Sequence, residues 1–170
     1  MLALKERLVR ESRTDLLRFT LSTMPTFDPA DFHRRYYGVL TKFAHKEIKK
    51  LMVFMPPQHG KSEGSTRRLP SFILGELPDT RIAIVSYNAP KARKFNREIQ
   101  RIIDTPEYQE IFPDTHLNSS NVTTVAGSWL RNADECEIVG HLGSFKTVGV
   151  GGALTGEPVD VLIMDDIYKD

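Results

Sequence analysis

The sequence predicts an α/β fold in which a mainly parallel β-sheet is flanked by helices. The first observation is a set of three short apolar runs, at 51–55, 81–87 and 159–164, each with the length of a buried strand. The second is that amphipathic helical patterns stand before and between these runs. The third is that segments rich in glycine or proline separate the elements. Strands that alternate with helices are typical of a parallel sheet.

Two helical patterns precede the first apolar run. In the first, which extends from residue 1 to about Ser22, leucines are interspersed with charged residues. Two prolines interrupt the chain after it. Asp28 with Pro29 then predicts the start of the second helix, because aspartate caps helices and proline suits the first helical position. The apolar residues of this helix form one stripe: Phe32, Tyr36, Val39, Leu40 and Phe43. We therefore predict an N-terminal helical segment, 1–27, and a domain that spans 28–170.

The remaining elements follow the first apolar run in order. A helix is predicted from Ser62 to about Leu74, and a strongly amphipathic one from Pro90 to Asp104. Residues 105–118 contain prolines and are predicted to be irregular. Between 121 and 151, the segments VTTVA, SWLR, CEIVG and FKTVGV alternate with glycine, asparagine and aspartate, which is typical of hairpin strands. The chain ends six residues after Met164, so we expect the sheet to be incomplete at its C-terminal end.

Composition narrows the class of protein. The chain has 170 residues, 40% of them hydrophobic and 26% charged, which is typical of a globular domain. Its one cysteine, Cys136, cannot form an internal disulfide and fits a reducing compartment. The five histidines are scattered without paired spacing, so no zinc site is expected. No apolar run approaches the roughly 20 residues that a membrane helix needs.

The net charge of +1 hides an uneven distribution. Residues 1–105 contain 20 lysines and arginines against 11 acidic residues, whereas residues 106–170 contain 3 against 11. A basic half and an acidic half indicate two partners, a polyanion and a metal–nucleotide complex. The alternative is that the charges are unevenly distributed without functional meaning.

The segment MPPQHGKSEG, at 55–64, ends like a phosphate-binding loop. Gly60 lets the backbone approach the phosphates, Lys61 reaches the β- and γ-phosphates, and Ser62 can ligate Mg²⁺. A helix that begins near Ser62 would direct the positive end of its dipole at the anion. Met55 stands where such a loop normally opens with glycine, and a surface turn with a solvated lysine is the alternative. We predict that one continuous set of residues contacts the nucleotide: Pro57, Gln58, His59, Gly60, Lys61, Ser62 and Glu63.

Two aspartates end the last apolar run, 104 positions after Lys61. Hydrolysis of a nucleotide needs one carboxylate that holds Mg²⁺ and another that orients the attacking water. We predict that Asp165 holds the metal together with Ser62 and that Asp166 acts on the water. Lys61, Asp165 and Asp166 are then the catalytic residues. The alternative is that the two aspartates cap a following helix.

One face of the predicted helix 90–104 is basic. Residues on this face could follow the phosphate backbone of DNA: Lys91, Lys94, Arg97 and Arg101. A solvated face of an ordinary helix is the alternative, because charged residues cover the outer side of most amphipathic helices.

Five segments of the chain occur in a specific order: PPQHGKS after LMVFM, SYNAPKARKFNREIQRII, EYQEIFPDTHL, VGVGGALTG and VLIMDDIYKD. In this order and at this spacing they resemble the N-terminal ATPase region of the large terminase subunit of tailed bacteriophages or prophages. The resemblance extends from about Phe32 to the last residue. It implies a P-loop NTPase domain of the additional-strand, RecA-like type. The implied enzyme hydrolyses ATP to drive double-stranded DNA into an empty capsid.

The resemblance also implies cofactors, partners and a location. ATP and Mg²⁺ are the implied cofactors, and the partners are double-stranded DNA, the small terminase subunit and the portal protein. A homo-oligomeric ring in the host cytoplasm, without a membrane, is the implied assembly, and a metal-dependent nuclease domain would follow residue 170. Carried over by position, Gly60, Lys61 and Ser62 bind the phosphates and Mg²⁺. Asp165 binds the metal, and Asp166 acts on the water.

Two positions depart from the family pattern. Many related motors have glutamate, which is one methylene longer, where Asp166 stands. Some terminases have an arginine inside the loop, where this chain has proline and glutamine, so another arginine must meet the charge of the transition state. Arg131 and Arg101 are candidates, as is an arginine of a neighbouring subunit. The alternative functions are a helicase-like nucleic-acid ATPase and an inactive nucleotide- or DNA-binding prophage remnant.

Overall fold

The computed structural model describes residues 2–123, 128–154, 156 and 158–168, and within them the chain forms an α/β fold. The helices are α1 (Leu2–Ser12), α2 (Leu16–Thr23), α3 (Asp31–Ala44), α4 (Leu69–Glu76), α5 (Ala89–Ile103) and α6 (Pro106–Ile111). A π-helical segment, Glu63–Arg68, continues directly into α4. The strands are β1 (Arg81–Ser86), β2 (Glu135–Glu137), β3 (Ser144–Gly149) and β4 (Val161–Asp165).

The four strands form one mixed sheet in the order β2-β3-β1-β4. The inner strand β1 pairs in parallel with β3 on one side and with β4 on the other, while β2 and β3 are antiparallel. At the carboxyl end of β1, Ser86 pairs in register with Gly149 and with Asp165. The predicted mainly parallel sheet is therefore confirmed, and the carboxyl ends of three strands meet at one edge, where ligands of such sheets commonly bind.

The main core lies between the sheet and the helices. Ile84 and Phe145 of the sheet are fully buried, as is Ile99 of α5. Leu16 and Phe19 of α2 belong to the same cluster and are also fully buried. The predicted boundary at residue 27 therefore does not separate two hydrophobic cores. None of the helices in the described part of the chain is long and apolar enough to cross a membrane.

The predicted strand at 51–55 is wrong. These residues pair with no strand among the described residues, and their side chains alternate in exposure. Met52 is 79% and Phe54 85% exposed, whereas Val53 packs against the core. Only one side of this extended segment covers the core, and the exposed Met52 and Phe54 are apolar without being buried. An apolar run therefore predicts neither the burial of every side chain nor a pairing partner for the backbone.

Three helix boundaries differ from the prediction because of local capping. The first predicted helix is two helices, since the Asp15 side chain accepts a hydrogen bond from the Arg18 N–H (2.8 Å) and starts α2. The helix α3 begins after Ala30 rather than after Asp28. In the region predicted to be irregular, Thr105 caps α6 and a proline occupies its first turn.

The predicted hairpin region forms fewer strands than expected. CEIVG contributes β2, and FKTVGV contributes β3, which is an inner strand of the sheet rather than one arm of an isolated hairpin. SWLR forms only two isolated bridges, from Arg131 to Val122 and to Cys136. Most of VTTVA lies outside the described residues. Short alternating patterns do not distinguish an inner strand from an outer one, because that choice depends on distant parts of the chain.

Candidate functional site

The predicted phosphate loop and the end of β4 meet at the carboxyl edge of the sheet. The Lys61 amine lies 3.5 Å from Asp165 Oδ1, and the Ser62 hydroxyl donates to Asp165 Oδ2 at 2.9 Å. The Asp165 side chain is only 3% exposed, and both of its oxygens have a polar partner, as buried polar groups generally do. A cation, a hydroxyl and a carboxylate from two distant segments therefore form one cluster.

Asp166 lies between two lysines. Its Oδ1 accepts from the Lys61 amine at 2.5 Å, and its Oδ2 accepts from the Lys91 amine at 3.0 Å. These hydrogen bonds, from Lys61 first and Lys91 second, hold the pKa of Asp166 below its ordinary value. Burial alone would lower the pKa of Lys61, but the bond to Asp166 and the charge of Asp165 outweigh it, so the net shift is upward. The amine and the Asp166 carboxylate are thus both charged near neutral pH.

The loop has the backbone shape of a tight turn. Gln58 and Gly60 have positive φ angles of 63° and 78°. Pro57, Gln58 and His59 are exposed, and the His59 ring donates from Nδ1 to the Pro57 carbonyl at 2.7 Å. Within the described residues, no hydrogen bond or ion pair joins these three side chains to the lysine, the serine or the aspartates of the site.

Side chains of α3 donate hydrogen bonds to backbone carbonyls of the loop, a contact that the sequence did not indicate. The Tyr36 hydroxyl donates to the Lys61 carbonyl at 2.7 Å, and burial raises the pKa of Tyr36 to about 12, so this hydroxyl keeps its proton. His33 accepts from the Ala30 N–H at Nδ1 (3.1 Å), which leaves Nε2 as the donor to the His59 carbonyl (3.2 Å). With these carbonyls bound to α3, the loop is anchored from behind.

Close packing of α3 requires a glycine just after the loop. A Cβ atom on Gly64 would lie 2.6 Å from the ring of Tyr36 and 3.2 Å from Leu40. Such distances are shorter than van der Waals contact, so a side chain here would push α3 away. The glycine is therefore needed for the contact that brings the Tyr36 hydroxyl to the loop.

The π-helical segment carries an ion-pair network. Glu63 accepts from Arg68 Nε at 2.7 Å and from Arg67 Nη1 at 3.2 Å, while Arg67 Nε binds Glu98 of α5 at 2.5 Å. Arg68 also donates to the Thr23 hydroxyl at 2.8 Å. The predicted nucleotide contact of Glu63 is therefore limited to its backbone, because its carboxylate is engaged by both arginines. π-Helical turns occur frequently at functional sites.

Oxygen donors at this edge suit a magnesium ion. Ser62 and Asp165 supply a hydroxyl and a carboxylate, which are ligands that Mg²⁺ prefers. The Ser86 hydroxyl, paired in register with Asp165, is buried and makes no hydrogen bond to a described residue. No group of three or more His, Cys, Asp and Glu residues suited to a metal occurs in the described part of the chain, so most ligands would come from water and substrate.

The basic face of α5 is divided. Lys91 points to Asp166 and is 26% exposed, so it belongs to the loop site and not to an outer surface. Lys94, Arg97 and Arg101 face solvent, with Lys94 4.0 Å from Glu98. Of the four residues predicted to contact DNA, only these three therefore lie on the outer surface.

Arg131 is not free to act as a catalytic arginine. Its guanidinium binds Asp104, the Gln100 side chain (3.2 Å) and the Asn118 carbonyl (2.6 Å), and it is 15% exposed. Arg101 lies ten residues after Lys91 on α5, about 15 Å along the helix axis from the sheet edge. Neither arginine is near the predicted loop.

Comparisons with known proteins give no relative: no family model, no curated protein and no solved structure matches this chain.

Proposed function

We propose that this chain is the ATPase portion of a phage DNA-packaging motor, in which ATP hydrolysis drives double-stranded DNA into the capsid. The observation that carries the proposal is the meeting of Lys61, Ser62 and Asp165 at one sheet edge, although Ser62 and Asp165 stand 103 positions apart. A loop with a lysine and a hydroxyl beside a strand-end carboxylate is what a nucleoside triphosphate and its metal need. The ordered resemblance of the sequence motifs to large terminase subunits points the same way.

Each residue has a separate task in the proposed reaction. Lys61 neutralises the γ-phosphate while water attacks it in line. Ser62 and Asp165 would hold Mg²⁺, which neutralises phosphate charge when bound. Asp166 orients the attacking water once its carboxylate has left the two lysines. Backbone N–H groups of the loop would face the phosphates, while side chains of α3 hold the loop by hydrogen bonds to the His59 and Lys61 carbonyls.

The partners belong to the same proposal. Duplex DNA would contact the solvent-facing cations of α5, which are Lys94, Arg97 and Arg101. The small terminase subunit, the portal protein and a homo-oligomeric ring in the host cytoplasm follow from the resemblance. DNA binding through these side chains would weaken as salt concentration rises, since it depends on released counterions.

Replacing Lys61 with alanine tests the ATPase proposal. A hydrogen bond to a charged group contributes about 1.5–3 kcal/mol, so we expect Lys61→Ala to weaken Mg–ATP binding by about tenfold to a hundredfold and to abolish turnover. Lys42 is an exposed lysine of α3, and Lys42→Ala is the matched control. Calorimetric titration gives the affinities, and circular dichroism confirms that both variants fold. Wild-type affinity and turnover in Lys61→Ala would refute the proposal.

A further inference from the structure

A second lysine belongs to the loop site. The amines of Lys61 and Lys91 come from different elements and bind the two oxygens of one carboxylate, that of Asp166. We propose that Lys91 binds the terminal phosphate of a nucleoside triphosphate, and that the Asp166 carboxylate takes the place of this phosphate in the nucleotide-free protein. This inference rests on the proposed function and adds to it the selection of triphosphate over diphosphate.

The neighbours of Lys91 hold its amine at the sheet edge. The Lys91 N–H donates to the side chain of Asn88 at 2.9 Å, which fixes the residue in the first turn of α5, just beyond the end of β1. The amine lies 5.1 Å from the ring centroid of Tyr87 and 5.9 Å from that of Phe95. These aromatic faces attract a cation and restrict its movement. Lys94 on the same helix is 64% exposed, so confinement is specific to Lys91.

The charges around Asp166 fit an exchange with phosphate. Lys61, Lys91, Asp165 and Asp166 together have no net formal charge. A carboxylate that binds two amines through its two oxygens resembles the edge of a phosphate group that presents two oxygens. When a terminal phosphate displaces it, both amines keep an anionic partner, and Asp166 becomes free to act on water. The loop contains no arginine, so Lys91 supplies the additional cation that the transition state needs.

A purely structural role predicts a different result. If Lys91 only tethers α5 to the end of β4, its loss would lower stability without changing the preference between nucleotides. If it binds the terminal phosphate, its loss must affect triphosphate more than diphosphate, because only the triphosphate reaches it. The comparison of two nucleotides on one variant therefore separates the two roles.

The experiment measures affinities for Mg–ADP and for a Mg-bound, non-hydrolysable ATP analogue by calorimetric titration. We expect Lys91→Met, which keeps an unbranched side chain of nearly the same length but removes the charge, to lower the affinity for the triphosphate by about tenfold to a hundredfold and to leave that for ADP within about twofold. Lys91→Arg should retain most of the preference. Asp166→Asn should bind the triphosphate several-fold more tightly, since the competing carboxylate is gone. Lys42→Met is the matched control and should leave both affinities unchanged.

The outcomes distinguish this inference from the proposed function. Wild-type protein that binds the triphosphate, with a Lys91→Met variant that loses both nucleotides equally or neither, overturns the role of Lys91 and leaves the ATPase proposal intact. Wild-type protein that binds neither nucleotide overturns both. Unchanged or weaker triphosphate binding in Asp166→Asn contradicts the exchange of carboxylate and phosphate.

Discussion

Two neighbouring tyrosines of α3 should respond differently to the loss of a hydroxyl. Tyr36 is 8% exposed and its hydroxyl binds the Lys61 carbonyl at 2.7 Å. Tyr37 is fully buried, and its hydroxyl makes no hydrogen bond of normal geometry to a described residue. The change from tyrosine to phenylalanine is chemically the same at both positions. The pair therefore isolates the contribution of one hydrogen bond to the loop.

The structure sets the expected size of each effect. An intramolecular hydrogen bond contributes about 0.5–1.5 kcal/mol net. Because the Lys61 carbonyl also accepts from the Ser65 hydroxyl at 2.9 Å, it is not left unsatisfied in Tyr36→Phe, and the loss should stay within that range. The Tyr37 hydroxyl lies near the Thr20 side chain but makes no hydrogen bond of normal geometry, so its removal in Tyr37→Phe should leave the free energy of unfolding unchanged or raise it.

Urea unfolding followed by fluorescence measures both free energies of unfolding, and nucleotide titration measures the effect on the site. We expect Tyr36→Phe to weaken triphosphate binding by about twofold to tenfold, since its loop is less well anchored, and Tyr37→Phe to bind as the wild type does. Equal loss of stability in the two variants, or a larger loss in Tyr37→Phe, would refute the assignment of the Tyr36 hydroxyl as an anchor of the loop.

Two further predictions concern the packing and the sheet. Gly64→Ala should destabilise the fold by about 1–3 kcal/mol, because its Cβ atom would meet the Tyr36 ring. Gly38 has open space around it, so Gly38→Ala should stabilise α3 by about 0.5–1 kcal/mol. Thermal unfolding measures both effects, and a Gly64→Ala variant as stable as the wild type would contradict the close packing. Hydrogen bonds from Arg81 lower the pKa of Asp160, so its contribution to stability is fully present well above the ordinary pKa of an aspartate and is lost as the pH falls through the lowered pKa. The difference in the free energy of unfolding between the wild type and Asp160→Asn should therefore shrink below about pH 4. A difference that grows in acid would contradict the lowered pKa of Asp160.

Strong periodicity and short apolar runs predicted the elements around the site. The helix predicted at 90–104 is α5, Ala89–Ile103, and the strand predicted at 81–87 is β1, Arg81–Ser86. The helix was predictable because α5 has a continuous apolar side, and the β1 prediction succeeded because this apolar run has pairing partners, β3 and β4, on both sides. The segment 51–55 has the same apolar character, but sequence alone cannot show that its pairing edge has no partner.

Residues of the candidate site could be predicted where they belong to a short, recognisable sequence motif. Lys61 and Ser62 lie together in the loop and Asp165 ends a strand, and adjacent parallel strands at 51–55 and 159–164 were expected to bring them together. The groups do meet, but the segment that leads into the loop is not a strand of the sheet. The place of Lys91 was not predicted, because helical periodicity groups it with the outer basic residues and does not show which turn touches the sheet edge. Tyr36 was counted as part of an apolar stripe, and periodicity gives no information about where a buried hydroxyl points.

The backbone at Asp166 limits which acids can occupy this position. Its φ angle is 48°, in the left-handed region, where aspartate and asparagine occur several-fold more often than other residues with side chains. Glutamate lacks the short-range backbone hydrogen bonding that makes this conformation tolerable, so its extra reach would come with conformational strain. A glutamate at this position, as many related motors have, should therefore require a backbone with negative φ, whereas asparagine should be tolerated in the turn as it stands.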